Sequence, residues 1–197
     1  MEKRFNEDDY LRLRQIAPDE MFEPEDIGRM IDQYGYLSDW KTDYKIQSVR
    51  SSLRSEKITC MDSAIFSYGL LELLFPTVKR RLLAIHRRDM HGEECGHCVT
   101  LYWGKDGRVG AFSKSSFPGF DHRKPIFDDE FAVASSFAEA YTQMNFTPLY
   151  FGVMTLEEIA SDLDWKFSDG PLNILSERIK ERYEYEFSSS EVHRNAS

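Results

Sequence analysis

Apolar residues recur along this chain with two different periods. Near the N-terminus the spacing is helical: Tyr10, Leu11, Leu13 and Ile16 fall near one side of Glu7–Ile16. Residues 25–34 begin after Pro24 and stop near Gly35, the punctuation of a short helix, and Ile46, Val49 and Leu53 place a third helix over residues 43–54. Residues 59–75 form the most apolar helix. Thr59 is placed to cap it, Asp62 sits in its first turn, and Pro76 stops it. Ile65, Phe66, Leu70, Leu71, Leu73, Leu74 and Phe75 leave it almost no polar side, which predicts burial all round. The pattern then changes to strands over residues 81–88 and 96–103. A turn, Gly104-Lys105-Asp106-Gly107, leads into a return strand over residues 108–114. Residues 128–141 return to helical spacing, with Phe131, Ala134, Phe137, Ala138 and Tyr141 inward. A strand over 148–154, a short helix after Thr155 and a charged helix near 172–185 complete the series.

This order predicts an α+β fold in which a central cysteine-bearing helix packs on a mainly antiparallel sheet, with flanking helices. It divides the chain into a helical cap (residues 1–57), an α+β core (58–187) and a solvated tail (188–197). The cap carries no recognisable chemistry.

Composition narrows the function classes. The 197 residues are 41% hydrophobic and 14% aromatic, enough for one domain with a real core. A formal charge of −9 provides no chain-wide cationic surface for phosphate backbones, so nucleic acid is not an expected partner. Three cysteines do not make a disulfide scaffold. The N-terminus runs into acidic Glu7-Asp8-Asp9 rather than an apolar export segment. The longest apolar run, residues 64–75, is broken by Ser67, Gly69 and Glu72 and is too short for a bilayer. The expectation is a soluble, cytoplasmic protein with no membrane partner.

Chemistry concentrates in the cysteines and histidines. Cys60 opens the apolar helix, where unpaired backbone N–H groups and the helix dipole favour a thiolate. His97 begins a hairpin strand thirty-seven positions later and is a candidate base for it. The plain alternative is that Cys60 is a small buried apolar residue. Cys95-Gly96-His97-Cys98 has the letters of a dithiol redox motif, but a strand-like Val-Thr-Leu-Tyr-Trp follows it, where that motif requires a helix. The cluster His86, His91, Cys95, His97 and Cys98 offers zinc-ligand residue types and competes for His97. The basic runs Lys79-Arg80-Arg81 and Arg87-Arg88 read as solvated strand ends.

Three segments carry a family resemblance: Thr59-Cys60-Met61-Asp62-Ser63-Ala64, Gly96-His97-Cys98-Val99-Thr100-Leu101-Tyr102, and Gly107-Arg108-Val109-Gly110-Ala111-Phe112-Ser113. Together they cover roughly residues 55–115, and they resemble the transglutaminase-like superfamily, including the papain-like bacterial cysteine proteases grouped with it. The resemblance implies that Cys60 is the nucleophile and His97 its base, with an acidic residue on the next strand orienting the imidazole. Here that position is Ser113, sixteen residues after His97. A serine can accept from the imidazole Nδ1–H but supplies no negative charge, and Asp121 in the following loop is the substitute. Gly110-Ala111-Phe112-Ser113-Lys114 with Arg123-Lys124-Pro125 is similar to uncharacterised bacterial members, which makes the serine a subfamily trait.

The same resemblance sets Lys114, His122 and Arg123 on a loop beside the cleft as substrate-binding residues, the alternative being an ordinary exposed loop. Trp103 is either a cleft wall or a core residue. The oxyanion donors expected are the Cys60 backbone N–H and, from further upstream, Gln47. The implied function is a cysteine hydrolase or acyltransferase acting on an amide or peptide bond through a Cys60 thioester, without a cofactor. A peptide or amide substrate, and a protein partner, are the expected partners. Two alternatives stay open: a catalytically inactive interaction domain of the same fold, and a small zinc-binding module built on the cluster from His86 to Cys98.

Overall fold

The computed structural model describes residues 5–17, 23–38, 44–120 and 122–187. In chain order these form α1 (Glu7–Ile16), α2 (Asp26–Asp32), β1 (Gly35–Tyr36), α3 (Val49–Arg54), β2 (Lys57–Ile58), α4 (Cys60–Leu74), β3 (Arg80–Arg88), β4 (Glu94–Trp103), β5 (Val109–Phe112), β6 (Arg123–Phe127), α5 (Glu130–Gln143), β7 (Thr147–Met154), α6 (Leu156–Ala160), α7 (Ile174–Lys180) and β8 (Tyr185–Glu186). Six strands make one sheet in the order β6-β5-β4-β3-β7-β8, antiparallel throughout; β1 and β2 form a separate parallel pair. The fold class is therefore α+β with the cysteine-bearing helix packed on an antiparallel sheet, as the pattern of elements implies. Among the described residues no helix is long and apolar enough to cross a membrane.

Strand alternation gives the sheet two apolar faces. Leu82, Ala84, Cys98 and Tyr102 join the cluster that contains α4 and the N-terminal helices, whereas Leu83, Ile85, Val99 and Leu101 join Phe137 and Tyr141 of α5. The Thr100 hydroxyl donates to the Ala64 carbonyl at 2.6 Å, which fixes α4 against β4. At the head of α4, Thr59 and Asp62 form a capping box, satisfying two backbone donors at once. Asp62, fully buried, also accepts the Gln47 N–H at 2.8 Å, so the segment before α3 is tied to the same helix end.

Several elements depart from the pattern reading. The third helix begins at Val49, with Ser48 as its cap. The stretch before it is claimed by the C-terminal part of the chain: Ile46 N–H donates to Asn173 Oδ1, Leu172 N–H to the Ile46 carbonyl, and Ser48 Oγ to the Ser168 carbonyl. Strand β6 was not expected, because Arg-Lys-Pro-Ile-Phe alternates only weakly; it exists through pairing with β5. The two-residue strands β1, β2 and β8 are too short to have a period. Helix α4 is buried through Leu71, but Leu73 and Leu74 of its last turn are exposed, and so is Phe131 of α5, which packs edge-on against Phe151 and Tyr185. Asp121 and the tail at residues 188–197 lie outside the described residues.

The N-terminal helices are attached by a buried ion network. Asp9 of α1 accepts from Arg54 Nε at 2.8 Å and lies 3.2 Å from Arg50 Nε, both arginines on α3, while it also takes the Asn6 N–H of its own cap. Helix α3 in turn lies close on α4 at Gly69, where a Cβ would fall 2.5 Å from Val49 Cγ2.

Two outcomes follow for stability, both read by urea unfolding. Asp9→Ala removes the carboxylate that joins the largely buried Arg50 and the half-exposed Arg54 and is expected to cost about 1–3 kcal/mol. Gly69→Ala is expected to cost roughly 1–3 kcal/mol by overpacking. Because that cost is a clash with Val49, adding Val49→Ala should recover part of it, and strictly additive losses in the double variant would contradict the close approach.

Candidate active site

Strand β5 pairs with β4 only as far as Phe112 opposite Thr100, while β4 continues to Glu94 along β3. The N-terminal half of β4 thus borders a cavity of about 360 Å³, and the head of α4 stands in it. Cys60, first residue of α4 and part-buried, lines this cavity with His97, Cys95 and Cys98, Arg87, Tyr36, Tyr141 and Tyr183.

The Cys60 sulfur meets the Cys98 and Met61 backbone N–H groups and its own, and the Tyr36 hydroxyl is its side-chain partner. These donors and the Arg87 charge favour thiolate. Burial outweighs them and pushes the Cys60 thiol up. The donors expected at the helix head are present, but desolvation is the larger effect and favours the thiol.

His97 is buried, its ring set among Phe120, Phe137 and Tyr141 on the α5 side of the sheet. Its Nε2 lies 2.9 Å from Ser113 Oγ. Ser113 Oγ is also 2.6 Å from the Phe120 carbonyl, which can only accept, so the single hydroxyl proton goes there. The Ser113 oxygen consequently accepts from His97 Nε2–H, and neutral His97 carries its lone pair on Nδ1. Serine does meet the imidazole, but at Nε2 rather than at Nδ1. Burial first, then the Arg87 and Arg123 charges, lower His97 to about 3. At neutral pH the thiol and the imidazole are both uncharged. Among the described residues no hydrogen bond joins them; they share the cavity from the edge of β4 and from its α5 face.

The remaining candidates are distributed as follows. The expected substrate-binding residues Lys114, His122, Arg123 and Trp103 do not line the cavity. His122 Nδ1 accepts the Ser113 N–H at 3.0 Å, and Nε2 reaches the Gly28 carbonyl and Asp32 Oδ1, each at 3.1 Å; it pins the loop after β5 to α2. Lys114 Nζ is 3.4 Å from the Asp32 carbonyl. Arg123 donates to Ser136 Oγ and the Gly119 carbonyl and covers the Phe137 ring. Trp103 sits at the far end of β4 under Lys79 Nζ, in a separate cleft with Phe75 and Pro125. Gln47 turns its side chain to Ser55, away from the sulfur. Asp121 cannot be assigned a place, lying outside the described residues.

The cysteine and histidine cluster does not assemble as a metal site. His86 pairs with Glu94 at 3.0 Å, His91 sits in the β3–β4 turn, and His97 is engaged by Ser113. Among the described residues no three His, Cys, Asp or Glu side chains converge to hold an ion. Cys95-Gly96-His97-Cys98 lies within β4, so the helix that a dithiol redox motif requires is absent there.

One cavity residue has a place that its basic sequence context does not suggest. Arg87 is not a solvated strand end; it is only 7% exposed. The signal was available, since Arg87 continues the alternation Leu83, Ile85 onto the α5 face of β3. Tyr36 and Tyr183 gave no such signal, because their contacts come from distant segments.

No protein-family model matches this chain, and no curated protein matches it. Among solved structures it is similar to Legionella pneumophila LapG, at 14% sequence identity and a TM-score of 0.45, over 89% of this chain and 91% of that one.

Proposed function

We propose that this protein is a cysteine hydrolase or acyltransferase that opens an amide or peptide bond through a Cys60 thioester. The observation that carries the reading is that Cys60 and His97 line one cavity while Ser113 Oγ, whose proton goes to the Phe120 carbonyl, lies 2.9 Å from His97 Nε2. With Nε2–H so engaged, Nδ1 is the nitrogen free to accept a proton. The Cys60 proton passes to Nδ1 as sulfur bonds to the substrate carbonyl carbon. The developing oxyanion is then matched by backbone N–H groups at the head of α4 and on Cys98. His97 next gives the proton to the departing amine, and water or an acceptor amine releases the acyl group. Because both groups start uncharged, proton transfer accompanies attack rather than preceding it.

A second reading, an inactive interaction domain of the same fold, is favoured by one feature. The charges that act on His97 are those of Arg87 and Arg123, both cationic, and Ser113 brings no compensating negative charge.

Two measurements separate the readings. Iodoacetamide should place an adduct on Cys60 ahead of buried Cys98, at a rate that rises with pH because burial raises this thiol, and Cys60→Ala should abolish that adduct without affecting any at part-buried Cys95; no Cys60 adduct at alkaline pH would exclude the nucleophile. The pH dependence of that labelling should lack a step near the ordinary histidine value, since His97 is neutral down to about 3. Ser113→Asp puts a carboxylate on Nε2 and should raise the His97 value by about 1–3 pH units, introducing an acid limb that the parent lacks.

A further inference from the structure

Arg87 lies in β3 opposite Cys95 of β4 and Pro148 of β7, at the point where the β3–β7 register shifts between His86 and Arg87. The extra residue there is Leu149 of β7, so β3 itself stays regular and its alternation turns Arg87 to the α5 face. Here the guanidinium is directed inward among aromatic faces, 3.8 Å from the centre of Phe146, 4.7 Å from Tyr141 and 5.5 Å from Phe117. Among the described residues the Tyr141 hydroxyl is its side-chain hydrogen-bond partner. Nε and NH1 are buried without an acceptor, and among the described residues no carboxylate pairs with Arg87. The other charged groups of the cavity are already matched: Glu94 holds His86 and Arg88, and Lys180 holds Glu177.

A buried guanidinium without an anion is costly, and cation–π contacts return only part of that cost. A planar fork of N–H donors held in a cavity is complementary to a carboxylate. We propose that Arg87 is the specificity-determining residue of this site, placed to take a carboxylate of a peptide substrate beside Cys60. This inference rests on the reading of Cys60 as the nucleophile. A carboxylate held there also returns to the neighbourhood of His97 the negative charge that Ser113 lacks, so the bound substrate itself favours the imidazolium formed during attack. The carboxylate is either an acidic side chain or a free C-terminus.

Paired alkylating agents test the site on the intact chain. Iodoacetate and iodoacetamide differ by one negative charge, and the anion should be the faster reagent at Cys60 by about tenfold, the value of one modest charge-assisted contact. Arg87→Gln should remove that preference and Arg87→Lys keep part of it. Selective labelling by iodoacetamide with no preference for iodoacetate in the parent protein would overturn the Arg87 assignment and leave Cys60 standing. If neither reagent labels Cys60, the nucleophile reading fails, and ligand-induced thermal stabilisation decides Arg87 by itself. N-acetylglutamate amide carries only the side-chain carboxylate and N-acetylglycine only the terminal one. One of them should raise the melting temperature of the parent and not of Arg87→Gln. No shift with either, or equal shifts in both proteins, would overturn the assignment.

Discussion

The arrangement around Cys60 depends on a single buried carboxylate. Asp62 accepts the Thr59 N–H at 2.9 Å and the Gln47 N–H at 2.8 Å while sitting in the first turn of α4. It thereby holds the start of the helix, its cap and the segment leading into α3 in one geometry. Burial pushes its carboxyl up to about 7, against the pull of those two backbone donors. The fold gives up hydration of this group to gain position, and what it positions is the sulfur at the unpaired half of β4.

The same trade recurs across the cavity. Cys60 and Tyr36 are pushed up and His97 is pushed down, each with loss of water as the leading cause. A site built this way favours uncharged forms, except for the guanidinium of Arg87, which keeps its charge under burial. The cavity consequently has one buried positive pole among groups whose burial favours neutrality, and its electrostatics differ from those of a thiolate–imidazolium pair formed in advance.

Much of this was legible along the chain. The capped apolar helix, the hairpin of β4 and β5, and the helix α5 follow from periodicity and punctuation alone, whereas the pairing of Ser113 with His97 was implied only by the family resemblance. What escaped has a common cause in long-range pairing. Residues 44–48 are not helical because Asn173 and Leu172 take the backbone groups of Ile46, and β6 is a strand only beside β5. The place of the loop residues was hidden for a similar reason. His122 resembles a cleft residue in a polar loop, yet Ser113, Gly28 and Asp32 occupy both of its nitrogens. Arg87 was missed for a different reason: its charge suggested solvent, although its parity within β3 pointed inward.

The sheet's outer margins bear on behaviour at high concentration. On one side the last strand is five residues long and interrupted by Pro125, which has no N–H; on the other, β8 has two residues. Among the described residues neither margin presents a long row of free backbone donors to a second molecule, and Lys124 adds charge at the first. At a margin that exposes Ile126, a short, proline-interrupted strand disfavours strand-to-strand addition.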